Sequence, residues 1–464
     1  MFSMTSCAME ASRANQKGST RMMKILLTSS LLCASLMAQV TTSTRPLIEK
    51  TNESTPSVAP QSLNSVVQWN RTLLVIVRTP GAQSPTVHPT RSFAIMHAAI
   101  YDAVNNIDRT HRPYFVKFAG VSRRASENAA ADAAAHAVLI ALYPDFEKTL
   151  NAQLDQLLSQ IPDGVHKNQG IKVGEMVADA ILDARSSDGS TAQPPSFVFG
   201  SAPGGFQSTP PNFPKPQFTE WSRVTPFTLE AANQFRPGPP PALTSDIYTR
   251  DFNEVKSLGI AKSTTATADQ ALTGHFWNGA IQNYWNEIAQ TATLAHGLSL
   301  PESARLFALL NLAFADDVIA FYDAKYTYNF WRPVTAIRAA GTDNNPDTAA
   351  DPNWLPEVGK TTPDPSYPGA HAVISASGAF LLRSFFRTDR FDFNVTSEVL
   401  PGVERSFTSF SAARQEATLS RVFAGVHFRS DLTTGRELGE DIGEFVFDHF
   451  LRPDDRDQRP DHDL

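Results

Sequence analysis

Apolar positions in this chain recur every three or four residues over long stretches. Across residues 91–106, Phe93, Met96, Ala99, Ile100 and Ala103 fall on one stripe, the mark of an amphipathic helix. Alanine-rich stretches at 127–142, 146–160 and 170–185 predict further helices. None of them alternates with a period of two, so no sheet is expected. Ser299 and Glu302 form a capping-box pattern around Pro301, and the helix they start turns Leu306, Leu309, Leu310, Ala313 and Phe314 inward and runs towards Lys325. Later helices are expected at about 371–386, 412–428 and 434–450.

One segment breaks the pattern. Residues 188–244 hold twelve of the 32 prolines, which excludes long regular elements. The same segment carries Phe197, Phe199, Phe206, Phe213, Phe218, Trp221, Phe227 and Phe235, and a disordered linker would be poor in aromatics. It reads as an extended strap laid over a helical body. The predicted fold is therefore all-α: an N-terminal helical half (66–187), the strap (188–244) and a C-terminal helical bundle (245–452) that holds the chemistry, with a flexible lead-in at 39–65 and a charged tail at 453–464.

Composition narrows the partners. Of 464 residues, 42% are hydrophobic and 19% charged, enough to bury a large core. A net charge of −7 and a pI near 5.9 argue against nucleic acid or an anionic membrane as a general partner. At the N-terminus, Arg21 and Lys24 precede an apolar run at 25–37 that ends in small residues, which is a signal-peptide layout, with cleavage expected near Ala38. No run reaches the ~18 apolar residues of a membrane span. An exported protein, periplasmic or extracellular, is expected. Its mature form would lose Cys7 and Cys33 and keep only Met96 and Met176, a composition suited to oxidising chemistry. With two cysteines in all, a disulfide framework or Cys-based zinc site is excluded.

Three segments carry candidate chemistry. Lys325 and Arg332-Pro333 lie in the first, Gly369-Ala370-His371 closes the second, and Ser420-Arg421, His427 and Asp431 make the third. Lys325, Arg332 and Arg421 are cationic donors, and guanidinium groups suit forked binding of a tetrahedral oxyanion. Gly369 and Ala370 precede a helix, so their N–H groups and the helix dipole could face an anion. His427 and Asp431, four apart on one expected helix, could meet, and the carboxylate would fix the imidazole tautomer. His371 adds a second titratable group.

The pattern Lys-x6-Arg-Pro, a Pro-Gly-Ala-His turn and Ser-Arg-x5-His-x3-Asp resembles the three-part signature shared by vanadium-dependent haloperoxidases and type-2 phosphatidic-acid phosphatases. Ile95-Met-His-Ala-Ala-Ile-Tyr-Asp-Ala-Val-Asn and Asn329-Phe-Trp-Arg-Pro resemble soluble bacterial members of the haloperoxidase family. The resemblance runs from about Trp69 to Phe450. It implies a vanadate cofactor, with phosphate able to take the same place. Lys325, Arg332 and Arg421, with Gly369 and Ala370, would hold its oxygens. His427 would ligate vanadium, supported by Asp431. His371 would do acid–base work and Lys325 would polarise bound hydrogen peroxide. The implied substrates are peroxide, a halide (bromide or chloride) and a small organic molecule halogenated by a hypohalous-acid equivalent. Where the family's turn has Ser-Gly, this chain has Gly369-Ala370, so a hydroxyl donor is missing. A secreted acid phosphatase with His427 as nucleophile, and a non-catalytic oxyanion-binding protein, are the alternatives. Whether the chain forms a homo-oligomer is not legible in it. His97, Tyr101 and Asp102 on one helix read as interhelical hydrogen-bonding groups, and His275, Trp277 and Trp285 as core.

Overall fold

The computed structural model describes residues 64–454. The expected signal segment, both cysteines and the end of the charged tail lie outside the described residues. Five helices make the N-terminal half: α1 (Ser65–Arg78), α2 (Pro89–Asp108), α3 (Glu127–Leu142), α4 (Glu147–Leu158) and α5 (Val165–Arg185). Each begins where sequence chemistry allows. Asn64 and Ser126 accept hydrogen bonds from the first-turn amides of α1 and α3, and Pro89 sits at the first position of α2 behind His88.

After the strap come α6 (Asp246–Leu258), α7 (Ala268–Phe276), α8 (Ile281–His296), α9 (Leu300–Tyr328), α10 (Pro333–Arg338), α11 (Ala370–Phe386), α12 (Phe410–Phe423) and α13 (Arg429–His449). The Ser299–Glu302 capping box is present, and all five inward positions expected on α9 are buried. No described helix is long and apolar enough to cross a membrane.

One departure is a two-stranded antiparallel hairpin, β1 (Arg390–Thr396) with β2 (Glu404–Ser409), where no sheet was expected. Phe391, Phe393 and Val395 alternate with polar residues, and Phe393 and Val395 are buried against the helices. The run is too short to show against the surrounding helical signal.

A continuous apolar core joins the halves. The nearly all-buried α2 packs on α3 and α5 of its own half and on α9 of the other. In the C-terminal half α11 packs along α13 at close range. An added Cβ at Gly439 would sit 2.0 Å from the Val373 carbonyl oxygen, so the two backbones meet where only glycine fits. That contact holds the start of α11 beside the middle of α13.

The strap has little regular structure but is firmly attached. Buried Asp316 on α9 accepts the backbone N–H groups of Phe227 (2.7 Å), Thr228 (2.6 Å) and Leu229 (3.0 Å). Phe206, Trp221 and Phe227 are buried. Two further backbone bonds, Phe206 N–H to Asn329 and Gln217 N–H to Pro363, tie the strap to the loops that carry the candidate site.

Candidate active site

Lys325 occupies the last turn of α9 and has no exposed surface. Its ammonium donates to the Pro365 carbonyl and, at 3.2 Å, to the Ser366 carbonyl, and lies 3.3 Å from the Asp364 carboxylate. Asn329 ends α9 in the left-handed region (φ 51°), and the chain returns so that Arg332 caps α10. Arg332 is 1% exposed. Its Nε donates to the Asp364 carbonyl (2.8 Å), Nη2 to the Asp364 carboxylate and to Thr362 Oγ1 (2.6 Å), and Nη1 to the Val426 carbonyl (2.9 Å) and to His427 Nε2 (3.0 Å).

His427 and Asp431 do not share a helix, contrary to the expectation from sequence. Helix α12 stops at Phe423, and Gly425 turns the chain at φ 77°, with its Cβ position only 2.2 Å from the Gly259 carbonyl oxygen. His427 therefore lies in the connection, and Asp431 in the first turn of α13. They still meet. His427 Nδ1 donates to Asp431 Oδ2 at 3.0 Å, and the same oxygen accepts Ser366 Oγ (2.6 Å) and the Phe428 amide (3.0 Å).

The turn ahead of α11 corrects a second expectation. The Gly369 N–H donates to the Asp431 carbonyl at 2.9 Å, so it is not free to face an anion. Ala370 keeps that position, at the first residue of α11 and in the wall of the cavity. A side chain at 369 would start 2.8 Å from Leu432 Cδ2, on the α13 side. Ser366 does not replace the missing hydroxyl, since it is engaged by Asp431. His371 Nε2 donates to the Trp277 carbonyl at 2.9 Å. Arg421 donates to the same carbonyl (3.4 Å) and to Asn278 (3.1 Å), while its buried Nε has no partner among the described residues.

Lys325, Arg332, Ala370, His371, Arg421 and His427 all border one cavity of about 330 Å³. Among the members of its wall that sequence reading did not assign to the site are His88, Phe218, Tyr322 and Asp364. His88 and Phe218 come from the N-terminal half and the strap, so no local pattern ties them to the cations. Asp364 sits in a proline-rich turn, where a carboxylate reads as solvated. The other residues weighed lie elsewhere. His97 bonds to Asn70 at 2.9 Å, and Asp102 accepts the amides of Tyr114, Phe115 and Val116. Among the described residues, no three His, Cys, Asp or Glu side chains gather as a metal chelate.

Burial and mutual repulsion tune the site. Burial, then the charges of Arg332, Lys325 and Arg421, holds His427 well below its ordinary pKa; burial and Arg421 do the same to His371. Both imidazoles are thus uncharged at neutral pH. Burial pushes Lys325 down to about 8, against the pull of Asp364, and Asp431 up to about 6. Burial alone would raise Asp364, but Lys325 and Arg332 outweigh it and hold this carboxylate below its ordinary range.

Residues 305–454 match the family described as the VCPO second helical-bundle domain. Over 376 residues the chain is 24% identical to vanadium chloroperoxidase of Curvularia inaequalis; the match takes in 62% of this chain and spans 61% of the length of that relative. The structure of a bacterial vanadium-dependent iodoperoxidase superposes with a TM-score of 0.71 at 25% identity, covering 87% of this chain and 100% of that one. The chain resembles the vanadium-dependent haloperoxidases, in overall fold and in the domain that carries the cationic cluster. A holo-type bacterial vanadium-dependent chloroperoxidase shares the fold at 16% identity, with a TM-score of 0.59 over 81% of this chain and 96% of that one. That resemblance implies a vanadate cofactor and accords with a mostly helical chain whose cationic cluster lies in the C-terminal half.

Proposed function

We propose that this protein oxidises bromide or chloride with hydrogen peroxide, giving a hypohalous-acid equivalent that halogenates a small organic substrate. One observation carries the reading: three buried cations and the uncharged imidazoles of His371 and His427 border a single cavity, and one buried donor, Arg421 Nε, still lacks an acceptor. That donor set fits a tetrahedral oxyanion. Lys325, Arg332 and Arg421 would hold its oxygens, with Ala370 at the α11 terminus beside them. With Nδ1–H held by Asp431, the lone pair of His427 is on Nε2, which accepts from Arg332 Nη1 at 3.0 Å and would ligate vanadium once Arg332 turns to an oxygen of the oxyanion. Vanadate, when bound, supplies a Lewis acid that activates peroxide towards halide. His371 donates Nε2–H to the Trp277 carbonyl, which leaves Nδ1 to take a proton from the incoming peroxide. Lys325 keeps a positive charge at the reacting oxygen.

A phosphatase reading uses the same atoms, because an uncharged His427 steered by Asp431 is also a competent nucleophile towards phosphate. Incubation with orthovanadate, followed by assays of bromide-dependent peroxide consumption and of phosphate-ester turnover, separates the two. Vanadate-dependent peroxide consumption that is lost in His427→Ala is expected. Ester turnover without it would favour the phosphatase, and neither activity would leave oxyanion binding alone. Export belongs to the same proposal, supported by the apolar run after Arg21 and Lys24. N-terminal sequencing of secreted protein, with a start near residue 39, tests it.

A further inference from the structure

Asp364 stands apart from the donors around it. It is a carboxylate in the wall of a cavity otherwise built for an anion, and its side chain is only 8% exposed. One oxygen takes Arg332 Nη2, the other lies 3.3 Å from Lys325 Nζ, and its backbone carbonyl takes Arg332 Nε at 2.8 Å. Two of the three cations are thus already engaged by an internal anion. The carboxylate is also fixed in place. Pro363 and Pro365 flank it, limiting the backbone on both sides, and the Pro363 carbonyl is tied to the strap. Besides Asp364, the charged and titratable groups around the cavity are Lys325, Arg332, Arg421, His427, His371, His88 and the uncharged Tyr322, with Asp431 behind His427. Three positive charges then stand against two carboxylates, which leaves a single positive charge for the ligand.

We propose that Asp364 is a resident counter-anion that selects the charge of the bound oxyanion, sharing Lys325 and Arg332 with the ligand and favouring a monoanion over a dianion of the same shape. The proposal rests on the oxyanion reading of the site. A dianion entering the cavity meets the fixed negative charge of Asp364 at close range, and a monoanion meets half of that repulsion. Asparagine at this position keeps an acceptor for Arg332 and removes the charge.

The test is calorimetric titration of the wild type and Asp364→Asn with sulfate, perrhenate and inorganic phosphate at pH 7. Sulfate and perrhenate are both tetrahedral but differ in charge. Asp364→Asn is expected to bind sulfate at least about tenfold more tightly than wild type, about 1.4 kcal/mol, while perrhenate changes less than about threefold. Unchanged or weaker sulfate binding in the variant would overturn the proposal and make Asp364 a clamp for the two cations. If wild type binds phosphate but the preference between sulfate and perrhenate does not move, only this inference fails. If neither protein binds any of the three, the oxyanion reading falls with it. Thermal melting checks the fold, and Asp364→Ser gives the same readout if the asparagine variant is unstable. Failure of both variants to fold would identify a structural carboxylate and overturn the selective role.

Discussion

Replacing Asp431 by asparagine tests how the site prepares His427. Asp431 is fully buried, and one of its oxygens accepts Ser366 Oγ at 2.6 Å, His427 Nδ1 at 3.0 Å and the Phe428 amide at 3.0 Å. An asparagine oxygen can take the same three donors, so the geometry survives and the charge is lost. A hydrogen bond to a charged group contributes about 1.5–3 kcal/mol and a neutral one about 0.5–1.5, so the His427 contact alone weakens by about 1–2 kcal/mol. That loss makes His427 Nε2 a poorer ligand. Vanadate affinity should fall about tenfold at pH 7, within the ~10–100-fold effect usual for groups that orient metal ligands. Titration calorimetry with orthovanadate measures it, with thermal melting as the control for folding. The pH dependence has a defined sign. Burial pushes Asp431 up to about 6, so the wild-type carboxylate is charged at pH 7 and mostly protonated at pH 5. Below about 6 the wild type loses the same charge as the variant, and the gap between them should close. Dissociation constants within twofold at pH 7, or a gap that persists at pH 5, would refute this account of Asp431.

Three other outcomes follow from the geometry. Gly369→Ser should cost about 1–3 kcal/mol in denaturant unfolding, because the new Cβ starts 2.8 Å from Leu432 Cδ2, and tighter phosphate binding is expected only when Leu432→Ala makes room. Asp316→Ala leaves the amides of Phe227, Thr228 and Leu229 without their acceptor, which should cost about 3 kcal/mol or more and open the strap to trypsin at Arg223 and Arg236 while the helices stay intact. Sulfate affinity should be steady below pH 8 and weaken above it by up to about tenfold per pH unit, since Lys325 is pushed down to about 8 and loses its charge as pH rises; a flat profile from pH 7 to 10 would show that Lys325 does not hold the anion.

Long helices were the legible part of the sequence. The capping box of α9, its inward residues and both ends of α3 follow from periodicity and first-turn chemistry alone. The three cations and two histidines were legible because their spacing matched a known signature, although spacing said nothing of the fold between them. The true end of α12 was hidden, since residues 412–428 read as one helix until Gly425 meets the backbone of Gly259, more than 160 residues earlier. Asp364 and His88 were invisible for a related reason. Each belongs to a turn with no period, and the contacts that make it part of the cavity come from distant segments. The hydroxyl expected to matter at 369 turned on local sequence, while the packing of Leu432 decides where any side chain there can go.

The strap's attachment separates two kinds of change. The cations and imidazoles are carried at the ends of helices and in tight turns between them, whereas Gln217 and Phe218 reach the same cavity from a segment that is not part of any helix. Substitutions at Gln217 can therefore reshape this part of the wall without moving a charged group, as long as Asp316 keeps its hold ten residues further on. The strap's share of the wall and the reacting groups are encoded in different stretches of chain. A lineage could vary the first through many generations while the second stayed fixed.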